Sequence, residues 1–283
     1  MRPERHFLKQ PKSFWATVRL VSQILGYTDR ATKQVRVPSV SEMASALQSV
    51  GLNPAHVLNA PEIGNDLGVL LQEYFTYRAD ILNNNVRQLL MNLVEARAMF
   101  ERLYAELSPT CPIPFNKQKG PMKAPALFTG IINMLVEAHS RGHECDYDPR
   151  QLTTFTANGV PLRTLARRVD GAFPSAVNPV AIWEIKEYYY TTTFGSRVAD
   201  GVYETLLDGM ELEELHEHEA VSVLHYLMVD AYKTWWEDGR SYLCRMIDIL
   251  HMGYVDEVLF GREVLDRLPE VVAQWVASLK ARN

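Results

Sequence analysis

VDGAFPSAVNPVAIWEIKE, residues 169–187, runs an apolar segment directly into a knot of charge. Val180-Ala181-Ile182-Trp183 has the make-up of a buried strand, yet it leads straight into Glu184-Ile185-Lys186-Glu187. Period-two alternation puts Glu184 and Lys186 on one face of that strand and Ile185 on the other. Upstream, Asp170-Gly171 closes a second extended segment, and residues 174–179, with two prolines and an asparagine, read as the turn of a hairpin. Charges at the end of an interior strand are costly unless they are paired or bound to a metal. Pairing the two strands brings Asp170 beside Glu184, and a hard divalent cation between them relieves their repulsion. Mg²⁺ is usually held in this way, by one or two carboxylates plus water. The backbone carbonyl of Ile185 is a natural further ligand. Lys186 faces the same spot, where an ammonium orients or helps deprotonate a metal-bound water, or steadies charge on a phosphate. The competing reading is an exposed strand end whose Glu184, Lys186 and Glu187 form surface ion pairs of little energetic weight. The apolar run before them argues for an interior strand instead.

Working outward, the first half of the chain reads as helical. Residues 13–25 space Phe14, Val18, Val21 and Leu25 at helical intervals, and Gly26 is a stop signal. A shorter helix is expected over 41–50. A long core helix is expected over 66–107, with a break near Asn83-Asn84-Asn85 and an apolar stripe that includes Val94, Phe100, Leu103, Tyr104 and Leu107. Residues 108–125, with five prolines and a glycine, suggest a boundary between a helical region, 1–124, and a core, 125–283. In the core the pattern gives a helix over 125–141, extended chain at 153–156, strands at 165–172 and 180–189, and a helix over 196–207 stopped by Gly209. An apolar run over 221–232, a helix ending at Gly253, a strand at 255–260 and a last helix from Pro269 follow. That order describes an α/β (α+β) protein, a mixed central sheet flanked by helices with an N-terminal helical region.

Composition and charge limit the function classes. The chain has 283 residues, 47% hydrophobic and 22% charged, which suits a soluble protein with a sizeable core. No uncharged apolar run reaches membrane-spanning length, and the basic N-terminus lacks a signal-peptide apolar segment, so a cytoplasmic location is the expectation. The three cysteines are far apart and suggest neither disulfides nor a thiolate zinc site; His143-Glu144-Cys145 lacks the further ligands zinc needs. No nucleotide-binding or zinc-protease motif occurs, so no nucleotide cofactor is expected. The net charge of −5 conceals basic clusters in residues 1–40, at Lys117, Lys119 and Lys123, and at Arg163, Arg167 and Arg168. Such clusters supply phosphate contacts even on an acidic protein, or are simply solvated surface. Residues 204–219 hold seven acids and no Lys or Arg, and read as an acidic surface helix that includes His216 and His218. Gly195-Ser196 reads as a helix start able to bind an anion, with Arg197 in its first turn facing a phosphate. Tyr188, Tyr189 and Tyr190 read first as packing.

At Asp170-Gly171 and Glu184-Ile185-Lys186, with the surrounding order of elements over about residues 125–268, the chain resembles the PD-(D/E)XK nucleases, the superfamily of restriction-endonuclease folds. The resemblance implies a mixed sheet between helices and a Mg²⁺-dependent active site, with Mn²⁺ as a substitute. In it Asp170 and Glu184 are metal ligands and Lys186 is the catalytic amine. Glu137, on the helix before the hairpin, holds the place of a further acidic ligand. Val169 stands where the motif's name has proline. The expected activity is cleavage of double-stranded DNA, most simply as a type II restriction enzyme acting as a homodimer on two strands. Arg167, Arg168, Ser196, Arg197, Lys117, Lys119 and Lys123 are the expected DNA contacts, and the helices at 13–25 and 41–50 a helix-turn-helix-like grip. The alternatives are a repair, recombination or phage-defence nuclease on branched or single-stranded DNA, and a non-catalytic helical adaptor or DNA-binding regulator.

Overall fold

The computed structural model describes all residues except 9, 30, 59–66, 117–119, 121–122, 191–195 and 283, and the backbone alone of Ser196 and Arg197. In chain order the principal elements begin with helices α1 (Lys12–Leu25), α2 (Val40–Ser49), α3 (Leu67–Asp80), α4 (Leu93–Leu107) and α5 (Leu127–His139). Strands β1 (Asp146–Tyr147), β2 (Thr154–Ala157), β3 (Val160–Thr164), β4 (Gly171–Phe173) and β5 (Ala181–Glu187) follow. The chain closes with α6 (Ser196–Glu219), β6 (Leu224–Asp230), α7 (Arg240–His251), β7 (Glu257–Phe260) and α8 (Val264–Arg282).

Five strands form one mixed sheet in the order β1-β4-β5-β6-β7. The first three are antiparallel, whereas β5, β6 and β7 run parallel, joined by crossovers through α6 and α7. Both faces are covered, which is why β5 and β6 read as near-continuous apolar runs. On one face Phe173, Ala181, Trp183, Tyr226 and Met228 pack against α4, α5 and α8. Trp183 stacks on Trp275 of α8 with centroids 5.0 Å apart. On the other face Ile182, Leu227 and Val229 meet α6 and α7. Glu184 and Lys186 therefore point into the interface between the sheet and α6.

Several expected boundaries move, each for a packing reason. The long N-terminal helix breaks at Leu90–Asn92 rather than at 83–85, where α3 runs on through a π-type turn (Ile81–Val86). Asn92 then caps α4, accepting from the Val94 and Glu95 amides. That restart shifts the helical phase, so Val94 and Tyr104 are exposed instead of lying on the buried stripe. Gly209 does not stop α6. It sits inside the helix because a Cβ there would come 2.4 Å from the Tyr254 carbonyl oxygen. The last helix starts at Val264 and tolerates Pro269 inside it, its register held by buried Leu268, Val272 and Trp275. The expected strand at 165–172 is mostly irregular. Asn158-Gly159, both with positive φ, turns β2 into β3 as a separate two-stranded hairpin, and regular pairing resumes only at Gly171.

The proline-rich stretch joins α4 to α5, which pack on each other in one core cluster, so it does not separate two cores. Helices α1 and α2 bury their apolar faces against α3 in a cluster built from Phe14, Val18, Met43, Leu47, Leu71 and Tyr74. This region is fastened to the sheet domain by the buried Arg78–Asp248 pair at 2.9 Å, with Tyr74 donating to the same carboxylate.

Candidate functional site

Register decides the site. Gly171 pairs with Trp183 across the β4–β5 ladder, which sets Asp170 next to Glu184. Gly171 is required there, because a Cβ would overlap the Trp183 ring at 2.0 Å. The Asp170 amide donates to Glu184 Oε1 (3.3 Å), and the Ile185 amide donates to Asp170 Oδ2 (2.7 Å). Lys186 Nζ donates to Glu184 Oε2 at 2.8 Å and to Glu204 Oε2 at 3.1 Å. Its stem runs along α6 past Gly201, where a Cβ would stand 3.0 Å from Lys186 Cδ. The Asp-Gly and Glu-x-Lys elements of the sequence thus meet in one cluster.

The tertiary structure adds three members. Arg167, in the irregular chain before β4, ion-pairs with Glu184 Oε1 at 2.9 Å and with Asp208 Oδ2 at 2.6 Å, and reaches Glu204 Oε2 at 3.4 Å. Glu204 and Asp208 stand one helical turn apart on α6. The sequence carries a signal for this. The acids at 204, 208, 211 and 214 recur on one helical face, and Arg163 and Arg167 are spaced to meet them. Arg163 pairs with Glu214 and lies 4.0 Å from Glu211. The acidic run is not a plain surface helix, because its inner face is what the basic segment is folded onto.

Four carboxylates (Asp170, Glu184, Glu204, Asp208) face two cations (Arg167, Lys186), a surplus of negative charge in a largely buried cluster. Burial, with the Glu184 charge beside it, pushes the Asp170 carboxyl up to about 6. Burial and the same neighbour push Asp208 up to about 7. Its Oδ1 is buried without a hydrogen-bond partner among the described residues. Burial would raise Glu184 too, but Lys186 and Arg167 outweigh it and hold that carboxyl below its ordinary value. For Lys186, burial opposes the charge, yet Glu184 and Asp170 outweigh burial and hold the ammonium well above its usual range. Lys186 is therefore held as a cation and donor in the metal-free cluster.

Among the described residues no three His, Cys, Asp or Glu side chains are arranged to hold a metal ion. Asp170 and Glu184 are two carboxylates of the kind that, with water, could hold Mg²⁺. Asp170 Oδ1 has no hydrogen-bond partner among the described residues, and the surplus charge fits a divalent cation. Both Glu184 oxygens, by contrast, are already engaged by Arg167 and Lys186.

The other expected residues lie elsewhere. Glu137 is not brought to the site. It sits on α5, across the sheet, where its carboxylate accepts from the Thr110 amide and hydroxyl. Glu187 also faces α5 and accepts from the Leu127 and Thr129 amides at 2.8 and 3.0 Å, so it caps that helix while burial pushes its carboxyl up to about 7. Arg167 is engaged by α6 acids and is not a free phosphate contact. Arg168 is exposed. Lys123 is exposed with its ammonium 5.0 Å from the centre of the Phe115 ring. Lys117, Lys119 and the Ser196 and Arg197 side chains lie outside the described residues. Tyr188 packs near Trp235, and Tyr189 donates to Asp230.

The fold and cluster define a mixed α/β protein with a buried carboxylate–ammonium–guanidinium centre on a parallel strand. A domain family of unknown function, DUF7687, matches residues 91–275, well over half of the chain, and the chain belongs to it. A second domain of unknown function, DUF7690, matches residues 1–85. No curated protein and no solved structure matches the chain. No helix among the described residues is long and apolar enough to cross a membrane.

Proposed function

We propose that the protein is a Mg²⁺-dependent endodeoxyribonuclease acting on double-stranded DNA, of the restriction type, with the Asp170–Glu184–Lys186 cluster as its active site. The observation that carries this reading is the tight convergence of these three side chains, with Asp170 bonded to the Ile185 amide and Lys186 to Glu184. Asp170 and Glu184 would hold the ion, which would supply charge neutralisation at the scissile phosphate and an activated water. Burial and the Glu184 charge raise the Asp170 carboxyl to about 6 in the metal-free cluster, so a cation would compete with a proton there and bind more weakly as the pH falls. Lys186, fixed as a cation, donates to a phosphate oxygen as negative charge builds up. Arg167 keeps Glu184 ionised, and its existing pairs with Asp208 and Glu204 would retain it if Glu184 turned to an ion. Cutting both strands of a duplex favours a homodimer.

The test is incubation of the purified chain with assorted duplex DNAs and Mg²⁺, followed by sequencing of the ends. Cleavage that is lost in Lys186→Ala supports the proposal, and cleavage unchanged in that variant removes it. Defined ends on intact duplex favour restriction, whereas ends found only on branched or single-stranded substrates favour a repair or defence nuclease. A second reading draws on the engagement of both Glu184 oxygens by Arg167 and Lys186. In that reading the cluster is a structural latch between sheet and α6 in a non-catalytic adaptor. A Mg²⁺ titration separates the two: the latch has no Mg²⁺ affinity that Asp170→Asn abolishes.

A further inference from the structure

A cavity of about 750 Å³ lies away from the Asp170 cluster, between the connection after α1, the end of α3 and the turn that leads into α7. Its size is that of ordinary small-ligand sites. Arg87 and Arg240 line it from two different elements, and both guanidiniums stand over the buried Trp236 indole, at 5.6 and 4.8 Å from the ring. Arg240 Nε donates to the Trp236 carbonyl at 2.5 Å, and neither arginine is in an ion pair among the described residues, nor is Lys33, which also lines the cavity. The acids in the wall are turned to other work. Asp29 Oδ1 accepts from the Ala31 and Thr32 amides and closes its own turn. Glu237 and Asp238 pair with Lys233, and Glu237 also lends the Arg240 charge some support through space.

Two like charges held together over one ring repel, and burial and Arg87 both weaken the hold of Arg240 on its charge. An anion between them removes that cost. A carboxylate fits a single guanidinium fork, whereas a phosphate has enough oxygens to bridge two. We infer that this cavity is a phosphate-binding site, formed by Arg87 and Arg240, with Lys33 also in its lining. The phosphate belongs either to a mononucleotide or to a nucleic-acid backbone. The inference is independent of whether the Asp170 cluster cuts DNA.

The experiment uses the full chain in EDTA, where metal-dependent cleavage is silent. A short fluorescein-labelled duplex is titrated by anisotropy and dAMP by calorimetry, against wild type and Arg87→Gln/Arg240→Gln. The expected result is a loss of about tenfold or more for at least one probe, with a shallower salt dependence when the duplex is the probe. Loss with the duplex alone assigns the backbone, and loss with dAMP assigns a nucleotide phosphate. Arg87→Gln alone, at an exposed side chain, is the second variant should the double variant fail to fold, and it should weaken the same probe by less. Wild-type affinity in both variants, or no binding of either probe to wild type, overturns the inference.

Discussion

Arg78, fully buried, and Arg167, half-buried, both hold buried carboxylates, and they do it differently. Arg78 meets one acid, Asp248, with both groups almost fully enclosed; Tyr74 donates to that carboxylate and Ser22 accepts from Arg78, while Arg78 Nε is left without a partner among the described residues. Charge there is balanced, and the pair fastens α3 to α7. Arg167 instead meets three carboxylates, shares Glu184 and Glu204 with Lys186, and sits among four acids with one edge open through the part-exposed Glu204. A balanced buried pair is explained by architecture alone. An unbalanced one implies a further positive charge at some stage of the protein's work, or protonated acids at neutral pH, and Asp170 and Asp208 are raised accordingly.

The sharpest way to break the comparison is functional. Lys186→Ala should lower Mg²⁺-dependent DNA cleavage by about 10²-fold or more, while Arg78→Lys, at the balanced pair, should leave the rate per folded molecule unchanged. The largest stability effect belongs to the balanced side. Arg78→Ala strands the Asp248 carboxylate and should cost about 3–5 kcal/mol in urea unfolding. A loss below about 1 kcal/mol would mean that the pair is no fastener. Gly171→Ala forces a Cβ into the Trp183 ring and should cost about 1–3 kcal/mol. It should also pull Asp170 away from Glu184, so cleavage should fall by more than stability does.

Asp170→Asn should do the opposite for stability. Removing one surplus negative charge should stabilise the metal-free protein by about 1 kcal/mol at neutral pH, while abolishing Mg²⁺ affinity by calorimetry. The sign follows from the raised carboxyl. Its folded value lies above the unfolded one, so its favourable contribution is full below about 3.8 and is lost as pH rises through about 6. The advantage of Asp170→Asn over wild type should therefore grow across that window. Glu184, held low, works the other way and supports folding at neutral pH, losing that support on acidification. A variant advantage independent of pH would refute the surplus-charge account. The smallest effect is expected at Glu204→Gln, where a part-exposed carboxylate leaves the cluster. A change within about 0.5 kcal/mol is predicted from thermal melts.

Much of the site was legible because short-range rules governed it. Alternation along β5 placed Glu184 and Lys186 together and left Glu187 on the other face. The turn at 174–179 paired the two strands, and the apolar run before Glu184 marked an interior strand. The places where the reading failed share one cause. Gly209, Pro269 and the Leu90–Asn92 break each carry a strong local signal that packing overrides or relocates. Glu137 matched a sequence position, yet α5 lies across the sheet from the site. Arg167 carried a plausible surface charge, and only the contact of the chain before β4 with α6 turned it inward.

By itself the sequence determined strand β5, the pairing of Asp170 with Glu184 and the direction of Lys186, since hydrophobic period and turn chemistry act over a few residues. The tertiary structure alone decided which distant charges would close around them. The burial that raises Asp170 and Asp208, and the guanidinium that holds Glu184, exist only once α6 is laid against the sheet. The strength of an electrostatic interaction depends on what surrounds the charges, and no local pattern records that.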